Sequence, residues 1–264
     1  VRSRMSLSAG MVLPSHSGNL MLELRNPHSI RAVLESRPRA VRQLTLQSEN
    51  PPEPWAQVLQ MALEFRVPVS YGHAGSGQRR GRRQTERTGA GSAQVEPPSP
   101  VPQELLFSAD QGGADLWLAL DRVQDPQNLG AIFRLAGFFG VRGVVMTKDQ
   151  SASVNGTVCD VSAGGTESVP FSVVPNLAQA MARAQESGIW VLGTCERAES
   201  SIYDVAADRN WMLVVGNEGQ GMRRLTRERC DQLVSMPPRG AVGSLNVATA
   251  AAACLSVLCS PRGC

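Results

Sequence analysis

A carboxylate, a hydroxyl and an amide are grouped between residues 213 and 253. A short apolar run over residues 213–215 leads into a glycine-rich turn that carries one acid, Glu218. A second apolar run ends at two prolines, and after a glycine-bearing loop the segment Ser244-Leu245-Asn246 opens an alanine-rich helix, with Ser244 as a candidate N-cap and Asn246 in the first turn. We expect two strand ends and a helix N-terminus to meet here, a place that suits ligand binding. Taken alone, the turn at 216–221 also fits an ordinary tight connection from a strand to a helix.

The elements that would position these groups alternate between strands and helices from residue 116 onward. Apolar runs predict strands over residues 116–120, 143–147, 189–192 and 211–215, with a strand end at Val173. Amphipathic spacing predicts helices over residues 129–139, 177–184 and 247–258. Such alternation predicts an α/β fold with a parallel sheet that is covered by helices on both faces.

The first part of the chain is predicted to be a tail, a small α/β unit and a linker. Residues 1–21 show no clear period and form the tail. Residues 22–71 form the unit, with predicted helices over 30–34 and 55–65 and predicted strands over 41–46 and 67–70. Residues 72–107 are rich in Gly, Ser, Pro, Gln and Arg, which is typical of a flexible linker, and residues 108–264 form the larger domain.

Positive charge is concentrated in the first part of the chain. The net charge of the whole chain is only +3, but residues 1–107 carry 13 arginines and 8 glutamates, whereas residues 108–264 carry 13 basic and 15 acidic residues. Arginine suits phosphates and stacked bases, so the first part is a plausible nucleic-acid surface. The arginine cluster at 79–83 fits RNA contact about as well as it fits a solvated tether.

Composition excludes several other classes of protein. No apolar run approaches the roughly 20 residues that span a bilayer, and the first 25 residues lack a signal-peptide pattern, so we expect a cytoplasmic protein without a membrane segment. The six cysteines form no C-x-x-C pair, and the three histidines all precede the predicted site. We therefore expect neither a disulfide framework nor a metal site.

Three motifs in the larger domain resemble those of one known family. The sequence D-R-V-Q-D-P-Q-N-L-G over residues 121–130 is followed by Arg134, and then come G-N-E-G-Q-G over 216–221 and S-L-N-V over 244–247. In this order and spacing the motifs resemble those of the SpoU/TrmH class of RNA ribose 2′-O-methyltransferases, in the SPOUT superfamily. The surrounding sequence is most similar to the bacterial 23S rRNA guanosine 2′-O-methyltransferase branch.

The resemblance implies a fold, a cofactor and partners. The implied fold is a parallel α/β sheet with a C-terminal deep trefoil knot, preceded by a small RNA-binding domain like ribosomal protein L30e. The implied cofactor is S-adenosyl-L-methionine, bound by three loops around Gly193, Thr194, Gly216, Met236 and Leu245. The implied substrate is RNA, most often 23S rRNA, and the implied assembly is a homodimer with sites at the subunit interface.

The resemblance also implies roles for five side chains. Arg134 aligns with the family's catalytic arginine, and on physical grounds we expect it to hold a phosphate and to stabilise the alkoxide that develops on the ribose. Glu218 is expected to orient Asn128 or Arg134 through a charge-assisted hydrogen bond. Ser244 and Asn246 complete the predicted catalytic set.

Other functions remain open from the sequence. The chain could be an inactive paralogue that only binds RNA, since Pro238 removes a backbone donor where family members commonly have another residue. It could methylate tRNA instead of rRNA. A Rossmann-type oxidoreductase is disfavoured, because no G-x-G-x-x-G follows the first strand of the larger domain.

Overall fold

The computed structural model describes residues 21–72, 90–108, 114–206 and 208–259 of the chain. The predicted tail, apart from Met21, and the arginine cluster at 79–83 lie outside these residues. Within the described ranges, no helix is both long enough and apolar enough to cross a membrane.

The first unit is a four-stranded sheet with two helices. Its elements are β1 (Leu22–Leu24), α1 (Pro27–Ser36), β2 (Val41–Leu46), α2 (Trp55–Glu64), β3 (Val69–Tyr71) and β4 (Gly91–Val95). α1 begins where the Asn26 side chain accepts the His28 backbone N–H, and Pro27 occupies the first helical position. The four elements that the sequence predicts over residues 30–70 are all present.

The prediction of a flexible linker over residues 72–107 is wrong for residues 90–107. β4 lies inside the sheet, whose order is β1-β4-β2-β3, and it pairs antiparallel with both β1 and β2. A Cβ atom on Gly91 would lie 2.7 Å from the Thr45 carbonyl oxygen and 2.9 Å from the Trp55 ring. A residue without a side chain is therefore needed at position 91, and the Gly-Ser-Ala start of this strand also has the composition of a linker. The first unit extends to residue 95 instead of ending at 71.

The second unit is a seven-stranded sheet in which every pairing is parallel. Its elements are α3 (Gln103–Leu106), β5 (Leu116–Asp121), α4 (Pro126–Phe139), β6 (Gly143–Thr147), α5 (Gly156–Ser162), α6 (Gly165–Ser168), β7 (Phe171–Val174), α7 (Leu177–Glu186), β8 (Trp190–Thr194), β9 (Ser200–Ser201), β10 (Trp211–Gly216), α8 (Arg224–Glu228), β11 (Gln232–Ser235) and α9 (Val247–Cys259). The strand order is β7-β6-β5-β10-β8-β11-β9. The predicted parallel α/β sheet is confirmed.

Helices cover both faces of this sheet, because successive side chains of a strand point to opposite faces. On β5, Leu118 belongs to the core cluster that includes α4 and α9 residues such as Phe133 and Leu255. Trp117, its neighbour on the chain, belongs to the cluster on the other face, with Met181 of α7. All six residues of β5 are buried, as expected for a strand in the middle of a parallel sheet.

The proline-rich segment between the two units lies along the edge of the large sheet. The Val101 backbone N–H donates to the Phe171 carbonyl at 2.8 Å, and the Ser172 hydroxyl donates to the Val101 carbonyl at 2.5 Å. These bonds use polar groups of β7 that an edge strand would otherwise expose. The segment is thus a packed part of the second unit.

The two units also contact each other directly, through α1 on one side and α5 and α6 on the other. The Asp160 carboxylate accepts the backbone N–H groups of Arg25 and Asn26 at 2.9 to 3.1 Å, and the Ser29 hydroxyl donates to the Cys159 carbonyl at 2.8 Å. Arg37 pairs with Glu167 at 2.7 Å. Because α5 and α6 also pack against α4, the first unit is connected through them to the helix that carries Asn128 and Arg134.

The close approach of α6 to α4 gives a test of this packing. A Cβ atom on Gly165 would lie 2.3 Å from the Phe133 carbonyl oxygen and 2.8 Å from the Arg134 nitrogen. We expect Gly165→Ala to push the helices apart and to lower the free energy of unfolding by about 1–3 kcal/mol, measured by denaturant titration. The control is Gly240→Ala, where a Cβ would meet nothing within 4 Å. Equal unfolding midpoints for the two variants would contradict the close packing.

Candidate functional site

Two neighbouring parallel strands, β5 and β10, bring the first two groups of the site together. Their register pairs Gly216 with Asp121, so both strands end at the same level. After β5, the Asp125 carboxylate accepts the Gln127 backbone N–H at 2.9 Å and caps α4, with Pro126 at the first helical position. This cap fixes the start of α4 and places Asn128, which is 8% exposed, in its first turn.

The loop after β10 folds back tightly on itself. A Cβ atom on Gly216 would lie 2.2 Å from the Gly221 carbonyl carbon, so a larger residue would push the loop open. Asn217 exchanges two backbone hydrogen bonds with Gly221, at 3.1 and 2.8 Å, and its side-chain oxygen accepts the Gly219 N–H at 2.9 Å. Glu218, between these residues, is exposed.

Three polar side chains from three different segments form one hydrogen-bonded cluster. The amide groups of Asn128 and Asn246 both donate to Oε1 of Glu218, the latter at 2.8 Å. The Asn246 amide also donates to Oδ1 of Asn128 at 3.0 Å. The structure thereby joins three of the five predicted catalytic residues, and Glu218 contacts Asn128, one of the two partners that the sequence analysis allowed.

Asn246 also begins the last helix, which corrects the prediction for Ser244. The side-chain oxygen of Asn246 accepts the backbone N–H groups of Ala248 at 2.9 Å and Thr249 at 3.3 Å. It is therefore the N-cap of α9, where the sequence analysis expected Ser244 as the cap and Asn246 inside the first turn. The cap leaves the Asn246 amide nitrogen free to donate to Glu218 and Asn128.

A cavity of about 290 Å³ opens beside the cluster. It is bordered by Val123, Gln124, Asp125, Asn128, Asn217, Glu218, Gly219 and Val247. The cavity therefore presents carboxylates and amides from the ends of β5 and β10 and one apolar side chain from the start of α9. A ligand in it can reach the cluster directly.

Arg134 and Ser244 stand apart from the cluster. Arg134 is exposed on α4, and in the described part of the chain its guanidinium has no hydrogen-bond or ion-pair partner. Ser244 is exposed in the loop before α9, and its hydroxyl likewise has no partner among the described residues. The contact between Glu218 and Arg134 that the sequence analysis also allowed is absent.

The five predicted cofactor residues lie at or after the ends of three adjacent strands, β10, β8 and β11. Gly193 and Thr194 end β8, Gly216 ends β10, and Met236 follows β11. A Cβ atom on Gly193 would lie 2.6 Å from the Cys230 sulfur. Leu245 is half exposed in the loop before α9. Gly193 is buried, whereas Thr194, Gly216 and Met236 are half-buried. Strand ends, one glycine-lined loop and apolar side chains are a set that fits an adenosine with a charged tail.

The Cys230 thiol is half-buried, close to Gly193. Burial, together with the charges of Asp231 and Asp121, raises the pKa of the Cys230 thiol to about 12. The thiol is thus neutral at pH 7, and it donates to the Thr226 carbonyl at 3.3 Å. Across the described ranges, no three His, Cys, Asp or Glu side chains are grouped as metal ligands.

Sequence reasoning did not identify four residues that hold the site together. Asp121 and Arg223 form an ion pair at 2.7 Å, and the Asn217 amide donates to the Arg122 carbonyl at 3.1 Å. Asp121 and Asn217 stand inside the motifs quoted above, so their positions were visible. The two contacts were not visible, because the partners in each lie about 100 residues apart in the chain.

Comparison with known proteins identifies one family of methyltransferases. A model of the SpoU rRNA Methylase family matches residues 115–256. The 23S rRNA (guanosine-2'-O-)-methyltransferase RlmB of Pseudomonas aeruginosa is 40% identical over 238 residues, which is 86% of this chain and 92% of that protein. The enzyme of the same name from Escherichia coli is 47% identical over 152 residues, which is 58% of this chain and 61% of that protein.

Solved structures share the fold. The SpoU methyltransferase AviRb from Streptomyces viridochromogenes, in complex with AdoMet, superposes with a TM-score of 0.71 at 24% sequence identity. The match covers 90% of this chain and 89% of AviRb. At this level of identity the likeness concerns the fold, which here extends over both units of the chain.

The double role of Asn246 leads to a prediction that separates its two functions. Asn246→Ala removes both the cap and the amide link, and we expect it to lower the free energy of unfolding by about 0.5–2 kcal/mol. Asn246→Ser retains a good capping oxygen but no amide donor, so most of that stability should remain. Thermal and denaturant unfolding of both variants would measure the difference. Equal losses of stability would show that capping is not what Asn246 contributes to stability.

Proposed function

The chain belongs to the SpoU rRNA Methylase family, and on that premise we propose that it transfers a methyl group from S-adenosyl-L-methionine to a ribose 2′-hydroxyl of RNA. The name of the Pseudomonas relative, which is 40% identical over most of both chains, supports a guanosine of 23S rRNA as the target. The 2′-hydroxyl also accounts for RNA and not DNA as substrate.

The observation that carries this proposal is the cluster of Asn128, Glu218 and Asn246 beside the 290 Å³ cavity. S-adenosylmethionine, when bound, supplies an electrophilic methyl group on a sulfonium. The chain must then hold a hydroxyl in line with that methyl and give its proton an acceptor. Positioning of this kind can contribute roughly 7–11 kcal/mol to lowering a barrier, without a metal.

Glu218 is suited to orient the ribose. Both amides of the cluster donate to its Oε1, while its Oε2 accepts no hydrogen bond from the described residues. The second oxygen can accept a ribose hydroxyl, and the two amide bonds fix the plane in which it does so. Asn128 and Asn246 therefore act by holding the carboxylate.

Arg134 is suited to bind phosphate and developing negative charge. Its five N–H donors have no partner within the described part of the chain, and it lies on the same helix as Asn128, six residues further on. A guanidinium stays protonated and cannot serve as a simple base. We assign it to an RNA phosphate and to the ribose oxygen as that oxygen loses its proton.

The cofactor is assigned to the ends of β8, β10 and β11. Gly193, Thr194 and Gly216 would contribute backbone groups, and Met236 and Leu245 would form an apolar wall for the adenosine. Thr194 already donates its hydroxyl to the Val214 carbonyl at 3.1 Å, so the end of β8 is held against β10 before any ligand binds. Ser244, in the loop between β11 and α9, would then lie near the transferred methyl group.

Several further features are part of this proposal. We propose a trefoil knot at the C-terminal end, as membership of the SpoU family implies. We propose that the first unit, with its two helices on a mixed sheet and its excess of arginine, is an L30e-like RNA-binding domain. A cytoplasmic homodimer completes the assignment.

One experiment tests the proposed activity. Ribose methylation is mapped in total RNA from cells with and without the gene, and labelled methyl transfer from S-adenosylmethionine is measured on 23S rRNA and tRNA transcripts. We expect one missing mark, on a guanosine of 23S rRNA. A missing mark on tRNA would overturn the substrate, and tight RNA binding without transfer would indicate an RNA-binding protein.

Replacement of Arg134 should stop methyl transfer and spare cofactor binding. We expect both Arg134→Ala and Arg134→Lys to lower the rate by about 10²–10³, because an ammonium offers a point charge instead of a planar set of donors. Calorimetry with S-adenosylhomocysteine should give an unchanged affinity. The matched control is Arg142→Ala. Arg142 is an exposed arginine directly before β6, at the opposite end of the parallel strands from the site. Near-normal turnover of Arg134→Lys would show that charge alone suffices.

A further inference from the structure

Asp121 is a buried carboxylate to which the proposed chemistry assigns no role. It ends β5 and is 0% exposed. Its Oδ1 accepts the Nε–H of Arg223 at 2.7 Å, and its Oδ2 accepts the Arg223 backbone N–H at 2.9 Å. A buried charge is costly unless it is paired and hydrogen-bonded, so this carboxylate strongly favours the conformation in which Arg223 stays in place.

Arg223 lies two residues beyond the loop at 217–221 that carries Glu218. The other side of the loop is also tied to the end of β5, since the Asn217 amide donates to the Arg122 carbonyl at 3.1 Å. Arg122 has a φ of 64°, in the left-handed region that residues other than glycine rarely adopt. Two consecutive residues, Asp121 and Arg122, thus hold the loop before and after Glu218.

Between these two attachments the loop is exposed. Glu218, Gly219 and Gln220 are all exposed, and the cluster with Asn128 and Asn246 is the only described contact of the Glu218 side chain. The position of the Glu218 carboxylate therefore depends on where the loop is held. At one end, the loop is held by the ion pair of Asp121 with Arg223 and by the buried Met222 side chain.

We propose that Asp121 and Arg223 are positioning residues for methyl transfer, and that their ion pair sets where Glu218 meets Asn128 and Asn246. The inference rests on the proposed function and adds two residues to it. Neither side chain touches the cluster in the described contacts, so both act through the loop. Their loss should impair turnover more than it impairs cofactor binding, because Gly216 is held separately by its pairing with β5.

A second ion pair provides a matched control for stability. Arg37 and Glu167 likewise join a partly exposed arginine to a buried carboxylate, with side-chain exposures of 27% and 6% against 37% and 0% for Arg223 and Asp121. That pair lies between the two units of the chain and makes no described contact with the Glu218 loop. Glu167→Gln should therefore lower stability without moving the Glu218 loop. A neighbouring control is Arg224→Ala, which removes only an exposed pair with Glu228.

The experiment is a double-mutant cycle in the full chain. The four proteins are the unaltered chain, Arg223→Ala, Glu218→Ala and the double variant. Turnover is measured with labelled S-adenosylmethionine and 23S rRNA, and each rate is divided by the concentration of cofactor sites titrated with S-adenosylhomocysteine. We expect Arg223→Ala to lower kcat on the order of 10- to 100-fold, as misplacement of a catalytic group by about 1 Å can do. Its affinity for S-adenosylhomocysteine should change less than about threefold, well below that loss of kcat.

The cycle distinguishes positioning from general destabilisation. If Arg223 acts through Glu218, its removal should lower kcat by less than about twofold in the Glu218→Ala background, because the group that it positions is already gone. Asp121→Asn should give the same pattern, and it keeps an oxygen that can accept the Arg223 backbone N–H. The inference would be overturned if Arg223→Ala lowered kcat by the same factor in the unaltered chain and in the Glu218→Ala background. It would also be overturned if Arg223→Ala left kcat per titrated site unchanged.

Failure of the proposed methyltransferase activity gives a different result from failure of the positioning role. If the unaltered chain methylates no RNA, the activity assignment fails. The inference is then judged by the side-chain carbon signals of selectively labelled Glu218, which should shift in Arg223→Ala and remain unchanged in Arg224→Ala and Glu167→Gln. Unchanged Glu218 signals in Arg223→Ala would reject the positioning role, whatever the substrate.

Discussion

Parallel pairing between β5 and β10 is the constraint on which the candidate site depends. It brings together two segments that are about 90 residues apart in the chain, so that the Asn128 amide reaches the Glu218 carboxylate. β5 is buried completely and β10 almost completely. A shift of one residue in β5 would bring the large Trp117 side chain to the face where Leu118 now packs against α4 and α9. The packing of the core therefore also fixes the level at which the polar groups of the site emerge.

The cluster itself shows how an exposed carboxylate can be held without a cation. Glu218 has two amide donors on one oxygen, and one of these donors belongs to the residue that caps α9. Because the cap fixes the Asn246 side chain on the helix, the helix start and the carboxylate hold each other in place. This arrangement keeps the second carboxylate oxygen available. An ion pair with Arg134 would have used both that oxygen and the guanidinium.

The contact between the two units adds a second constraint. α5 and α6 lie between α1 of the first unit and α4 of the second, and glycines allow close approach at both sides. A Cβ atom on Gly156 would lie 2.8 Å from the Glu23 carbonyl oxygen, and one on Gly165 would lie 2.3 Å from the Phe133 carbonyl oxygen. Any RNA bound to the first unit would therefore be held at a defined position relative to α4, which bears Asn128 and Arg134.

The sequence by itself determined the alternation of strands and helices, the parallel α/β class and the residues of the cluster, because periodicity and local motifs are properties of short segments. It misjudged residues 90–107, since a strand of small residues packed against Trp55 has the composition of a linker. Only the tertiary structure decided that Asn246 instead of Ser244 caps α9, that Glu218 contacts Asn128 and not Arg134, and that Asp121 pairs with Arg223. The last two are contacts between segments far apart in the chain, and no local pattern encodes the distance between them. The cap is local, but the sequence offered two side chains that can cap a helix.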